Sequence, residues 1–172
     1  MPVLLLSAGQ AGATSPAALA RCVVQAVAEV LAGLVYVNAV KEGAPAMFGT
    51  WPFVSDLRTG AMSGGSGEQA ILMAACGQMA QYYNLPSGIA AGMTDSKVPD
   101  TQSGYEKGYT VSLAAHSGAN LVYESAGMHA SLLGCCLESY VIDNDMLGAI
   151  NRTVRGVEVN DETLSILSLI HI

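Results

Sequence analysis

The sequence has 172 residues, within the range of a single domain, and its 51% apolar and 12% charged residues separate it from disordered chains. Fourteen acidic residues outweigh seven basic ones, giving a net charge of −7. The basic residues never cluster, which argues against nucleic acid or an anionic membrane as a partner.

Residues 3–6, VLLL, form the first short apolar run, too short and too poor in basic flanking residues for a signal peptide. The loop SAGQAGATSPAA follows. In it Ser15 is placed to cap, and Pro16 to start, a helix reaching residue 40. Residues 17–40 are the most membrane-like stretch, but Arg21, Gln25, Glu29 and Asn38 interrupt them, so a buried helix is expected rather than a span. With no targeting segment, a cytoplasmic location is expected.

The second apolar run is residues 46–50. The long loop WPFVSDLRTGAMSGGSGEQ follows, then a helix over 68–83 that Ser66 can cap. Residues 88–92, the loop MTDSKVPDTQSG and a helix over 105–117 make the third unit. The fourth runs from residues 120–123 through ESAGMHASLLG to a helix over 137–155, closed by Gly156. The four cysteines lack CxxC spacing and read as reduced thiols, mostly small buried residues. The cluster Asp143, Asn144 and Asp145 lacks calcium-loop spacing and reads as a polar patch on a helix side.

Short strands alternating with helices call for an α/β fold with a parallel sheet and right-handed crossovers. The strand-to-helix loops are longer and more polar than the returns, so chemistry is expected at the carboxyl ends of the strands. Periodicity alone does not separate an open sheet from a barrel. The first loop carries neither GxGxxG nor GxxxxGK[ST], which excludes the usual dinucleotide and P-loop signatures.

The runs AGQAGATSPA, EVLAGLV, GTWPFVSDLRTGAMSGGS, GMTDSKVPDTQSGYEKG, GANLVYESAGMHASLLG and VIDNDMLGAINRTVRGVEVNDETL resemble successive blocks of the trimethylamine methyltransferase family, in order along nearly the whole chain. The resemblance implies a (β/α)₈ TIM-type barrel. A barrel of that kind needs about 250 residues, so about four βα units truncated at both ends are expected, with Met1 internal to a longer protein. Residues 167–172, LSLIHI, resemble a translated sequencing adapter; they are set aside as a non-native tail together with His171, leaving 1–166 as the partial barrel domain.

The resemblance further implies a methyltransferase of one-carbon metabolism and methanogenesis. A methyl group passes from a methylated amine to the Co(I) corrinoid carried by a partner protein, and the chain itself binds no cofactor or metal. A homo-oligomer is expected at full length. A quaternary ammonium leaves as a neutral amine, whereas trimethylamine needs acid or covalent activation to leave. Some relatives carry pyrrolysine for that purpose and none is written here, which favours a betaine-like substrate.

A methylated ammonium offers neither proton nor lone pair, so aromatic faces must recognise it. Trp51, Phe53, Tyr105 and Tyr123 lie near the loops, and each has core packing as its plain alternative. Asp95, Asp100, Glu106 and Glu124 could balance the cation, while Arg58, Lys97 and Lys107 could hold a betaine carboxylate. Glu124, directly after the fourth strand, and His129 in its loop are the candidates for orienting the methyl group; His116 reads as a packing residue. Two other readings stand beside this one: a barrel enzyme binding a phosphorylated substrate, and an inactive fragment acting only as an interaction surface.

Overall fold

A computed structural model describes residues 2–164. In chain order the elements are β1 Val3–Ser7, β2 Gln10–Ala11, α1 Leu19–Val40, β3 Ala46–Thr50, β4 Phe53–Val54, α2 Gly67–Tyr82, β5 Gly88–Ala90, α3 Thr101–His116, β6 Leu121–Tyr123, β7 Met128–His129, β8 Gly134–Cys135, α4 Leu137–Arg155 and α5 Asp161–Leu164. The fold is α/β. The proposed tail, 167–172, lies outside the described residues.

The four expected strands are all present and parallel. β1 pairs with β3 from Val3↔Ala46 to Ser7↔Thr50, a parallel bridge joins Phe48 to Ser87 just before β5, and β5 pairs with β6. Beyond the first pair, β2 and β4 add a short parallel extension. Among the described strands, β7 and β8 pair antiparallel in a hairpin absent from the sequence reading, and an isolated antiparallel bridge joins Ser55 to Met62. No closed barrel forms among the described residues.

Each of α1 to α4 packs against the next, and the crossovers bury apolar faces on the strands. One core cluster joins Met73 and Cys76 of α2, Ile89 and Ala90 of β5, Val111 and Ala114 of α3 and Ile150 of α4. A second joins Leu5, Val27, Val30, Phe48 and Ala80 beneath α1. By length and composition α1 could cross a membrane. It is not the buried helix expected: one face lies on β1, β3 and α2, while Val24, Val35, Tyr36 and Val40 are exposed. Gln25 and Glu29 reach back to the first loop and strand, where Ser7 Oγ donates to Glu29 at 2.7 Å and Ser15 Oγ to Gln25 at 3.1 Å.

That second bond corrects the expected cap. Ser15 is buried with its hydroxyl spent on Gln25, and α1 starts later, with Ala18 at the N-cap and no side-chain cap. Ser66 does cap α2, accepting from Gln69 N–H. The third helix begins at Thr101 rather than at 105, because Asp100 and Ser103 form a reciprocal capping box. Tyr105 is therefore inside the helix, and Asp100 is occupied as a cap. α4 has the expected bounds and closes on Gly156 at φ 69°.

Candidate functional site

The parallel register sets Trp51 just past β3 and Tyr123 at the end of β6, both at the carboxyl edge. The Trp51 N–H donates to Ser7 O at 2.6 Å and the Ala91 N–H to Tyr123 O at 3.2 Å, so the ladders continue up to these residues. The rings converge. Trp51 meets Tyr123 edge to face with centroids 5.8 Å apart, and Phe53 lies 5.0 Å from Trp51. All three pack against the central core cluster and stay partly exposed.

Polar atoms in this cluster are buried without partners: Trp51 Nε1, Tyr123 Oη and Glu124 Oε2. Native proteins leave few such groups, so their concentration here sets this edge apart from the rest of the core. Burial pushes the Tyr123 hydroxyl up, so it remains a donor, and burial also raises the Glu124 carboxyl above its ordinary value. Glu124 holds a left-handed backbone, φ 63°, which an L side chain adopts only under local compulsion. The next residue is closely packed: Gly92, at φ 93°, lies against Ser125, and a Cβ there would stand 2.6 Å from Ser125 Cα.

The charged candidates lie in a neighbouring cleft of about 940 Å³ whose lining includes Arg58, Asp95, Lys97, Glu68 and Ser131. Arg58 is exposed and pairs with Asp56 at 3.3 Å. Lys97 is exposed. Asp95 ties loops together, accepting from Ser63 Oγ at 2.6 Å, from the N–H groups of Gly64 and Gly65 at 2.7 and 3.2 Å, and from Ser131 Oγ. Tyr105 is 57% exposed on the outer part of α3, stacked over Tyr109 with centroids 6.4 Å apart. The structure thus separates an aromatic cluster with Glu124 from a polar cleft with Arg58, Asp95 and Lys97.

His129 belongs to neither group. It is buried on β7, with Nδ1 3.3 Å from Ser96 O and Nε2 2.5 Å from Ser139 Oγ, and Cys136 Sγ lies 3.7 Å from Nε2. His116 on α3 reaches Thr153 of α4 at 3.0 Å. Two carboxylates and a lysine differ from their sequence reading. Lys107 is buried and paired with Asp143 at 2.6 Å, and the same Asp143 oxygen accepts the Gly127 N–H at 2.7 Å, so Lys107 has no free charge for a substrate and Asp143 is no solvated patch. Glu106 is buried and accepts from Thr94 Oγ1 at 2.5 Å and Asp95 N–H at 2.8 Å. Cys22 and Cys76 are buried as expected, and burial pushes the Cys76 thiol up to about 11. Cys135, by contrast, is exposed and Cys136 half-buried.

The family model described as trimethylamine methyltransferase (MTTB) matches residues 1–171. The chain belongs to the trimethylamine methyltransferase family. Trimethylamine methyltransferase MttB of Methanosarcina barkeri (strain Fusaro / DSM 804) is 39% identical over 169 residues, covering 98% of this chain and 34% of that protein. The protein of the same name from Desulfitobacterium hafniense (strain DSM 10664 / DCB-2) is 39% identical over 166 residues, 96% of this chain and 33% of its own. Glycine betaine methyltransferase of Desulfitobacterium hafniense (strain Y51) is 32% identical over 163 residues, 95% and 34%. The chain thus spans about a third of the length of the curated relatives it matches. The relatives it matches are named as methyltransferases.

Proposed function

We propose that the whole protein moves a methyl group from a quaternary methylated amine of betaine type to the Co(I) corrinoid of a partner protein. On this reading, residues 1–166 are about four βα units of a (β/α)₈ barrel in a cytoplasmic enzyme. The observation that carries the reading is the meeting of Trp51 with Tyr123 and Phe53 at the carboxyl edge, where the Glu124 carboxyl acts electrostatically on the Tyr123 hydroxyl.

Aromatic rings gathered at one edge suit a cation that has no hydrogen to donate, each contact being worth about 0.5–2 kcal/mol. Glu124 places a carboxyl, neutral or charged, next to that cation. Arg58 and Lys97 in the adjoining cleft offer positive charge for a betaine carboxylate, and Tyr105 lies farther out on α3. His129, buried behind the Glu124 loop, holds the hairpin that follows it. When reduced, the corrinoid supplies the nucleophile that takes the methyl group; this chain's residues bind and orient the donor. Departure of a neutral tertiary amine needs no proton, which is why a quaternary donor is favoured over trimethylamine.

The test is equilibrium binding to the full-length protein. Choline or glycine betaine should bind, and the neutral carbon isostere 3,3-dimethylbutan-1-ol should bind at least tenfold more weakly than choline, because a cage of ring faces reads charge. Equal binding of choline and its isostere would show a merely apolar pocket and remove the support for this reading.

A further inference from the structure

We propose that Cys136 is a reactive thiol, a modification site for soft carbon electrophiles, activated by His129 through Ser139. Nothing in the proposed methyl transfer uses this group, so the inference stands independently of that reading.

Cys136 occupies the N-cap of the 19-residue helix α4, yet its side chain makes no bond to the helix backbone. Its sulfur is directed instead at Ser139 Oγ, 3.2 Å away. Ser139 Oγ lies 2.5 Å from His129 Nε2. The other ring nitrogen of His129 lies 3.3 Å from the backbone oxygen of Ser96, which can only accept. Nδ1 therefore carries the ring hydrogen, Nε2 is the acceptor, and the donors line up in one direction: Cys136 S–H to Ser139 Oγ, Ser139 O–H to His129 Nε2. A nucleophile, a relay hydroxyl and an oriented base, with the base fixed by a third group, is the arrangement that activates a thiol.

The members of this chain come from three elements. His129 lies on β7, Ser139 on α4 with Cys136 at its N-cap, and Ser96 in the loop between β5 and α3. His129 and Ser139 are 2% and 1% exposed, whereas Cys136 is half-buried, so the base is shielded from water and the sulfur is reachable.

In the reaction the Cys136 S–H bond breaks. Its proton passes to Ser139 Oγ as Ser139's own proton passes to His129 Nε2, and the sulfur lone pair forms an S–C bond as the leaving group departs with its electron pair. The products with iodoacetamide are a thioether, iodide and an imidazolium, which returns its proton to solvent. No oxidant or metal enters the balance.

The neighbouring Cys135 provides the control. It is exposed, and among the described residues no hydroxyl or imidazole is bonded to its sulfur. Accessibility alone ranks Cys135 above Cys136; the relay ranks them the other way. Brief iodoacetamide labelling of the folded full-length protein at neutral pH, read peptide by peptide in a mass spectrometer, separates the two. We expect Cys136 to be alkylated about tenfold faster than Cys135. In Ser139→Ala, which breaks the relay while removing a single oxygen, the rate at Cys136 should fall to that of Cys135 or below, with Cys135 unchanged. Labelling of Cys135 ahead of Cys136 in the unaltered protein overturns the proposal, and so does an unchanged Cys136 rate in a folded Ser139→Ala. Buried Cys22 and Cys76 report folding: should they become labelled in the variant, the ratio in the unaltered protein decides alone.

Discussion

Trp51 and Tyr123 stand edge to face across the sheet, their rings 5.8 Å apart, although one follows β3 and the other ends β6. The contact exists because parallel pairing sends every strand-to-helix loop to one edge. If these rings enclose the amine, Trp51→Ala and Tyr123→Ala should each raise KM for a quaternary donor by about 2- to 30-fold, the factor that corresponds to one cation–π contact. Tyr123→Phe should retain most of the binding, since it keeps the ring and removes only an unpartnered hydroxyl. Steady-state kinetics on the full-length enzyme measure all three. An unchanged KM in both alanine variants would return the rings to packing.

Glu124 should report itself through pH. Burial raises its carboxyl above the unfolded value of 4.5, so between that value and the folded one the native state binds more protons than the unfolded state. Stability contributed by this group is therefore present at low pH and lost as pH rises through the window. Glu124→Gln removes the dependence: thermal melts should show the variant more stable than the unaltered protein at pH 7.5, with the difference closing as pH falls to 4.5. A gap that widens toward acid would show that Glu124 is instead stabilised as the anion.

Lys107 and Asp143 form an ion pair whose side chains are 1% and 5% exposed. Lys107→Met leaves Asp143 buried without its countercharge and should cost about 3–5 kcal/mol in denaturant unfolding. Losing both charges in Lys107→Met with Asp143→Leu should cost less than the single change, apart from the orphaned Gly127 N–H. If the single variant is as stable as the parent, the pair is solvated in solution.

Much of the fold was legible in the sequence, for physical reasons that also mark where reading stops. The four apolar runs are short and bounded by glycine or caps, and α4 begins and ends as its pattern requires. The start of α3 was missed because its box carries Ser103 rather than glutamate at the reciprocal position, in a segment that reads as loop. Ser15 looked like a cap, but a polar partner on the next helix, Gln25, took its hydroxyl. Lys107 reads in the sequence as a free charge for a substrate carboxylate because its partner lies 36 residues away, and no local pattern announces such a pair. The hairpin of β7 and β8 is too short to alternate, and its turn, Ala130 to Leu132, holds three successive positive φ values in residues that rarely adopt them. At the site, the aromatic residues were legible one by one; their meeting was a tertiary fact.

Asp95 was expected beside the substrate and is found fastening loops. Asp95→Ala removes the acceptor for Ser63, Gly64, Gly65 and Ser131 together. Hydrogen bonds to a charged group contribute about 1.5–3 kcal/mol each and do not add fully, so a loss of roughly 2–5 kcal/mol is expected in chemical denaturation. Asp95→Asn, which keeps the shape and one acceptor oxygen, should recover part of it. If Asp95→Ala weakened amine binding and left stability intact, the carboxylate would belong to the substrate instead.

The most direct measurement is methyl transfer itself. The full-length protein, mixed with the proposed partner corrinoid protein in the Co(I) state, is supplied in turn with glycine betaine, another quaternary amine and trimethylamine, and methylation of the corrinoid is followed by its absorbance. Transfer from a quaternary donor is expected, at a rate well above that from trimethylamine. Rapid transfer from trimethylamine with the quaternary amines inert would contradict it.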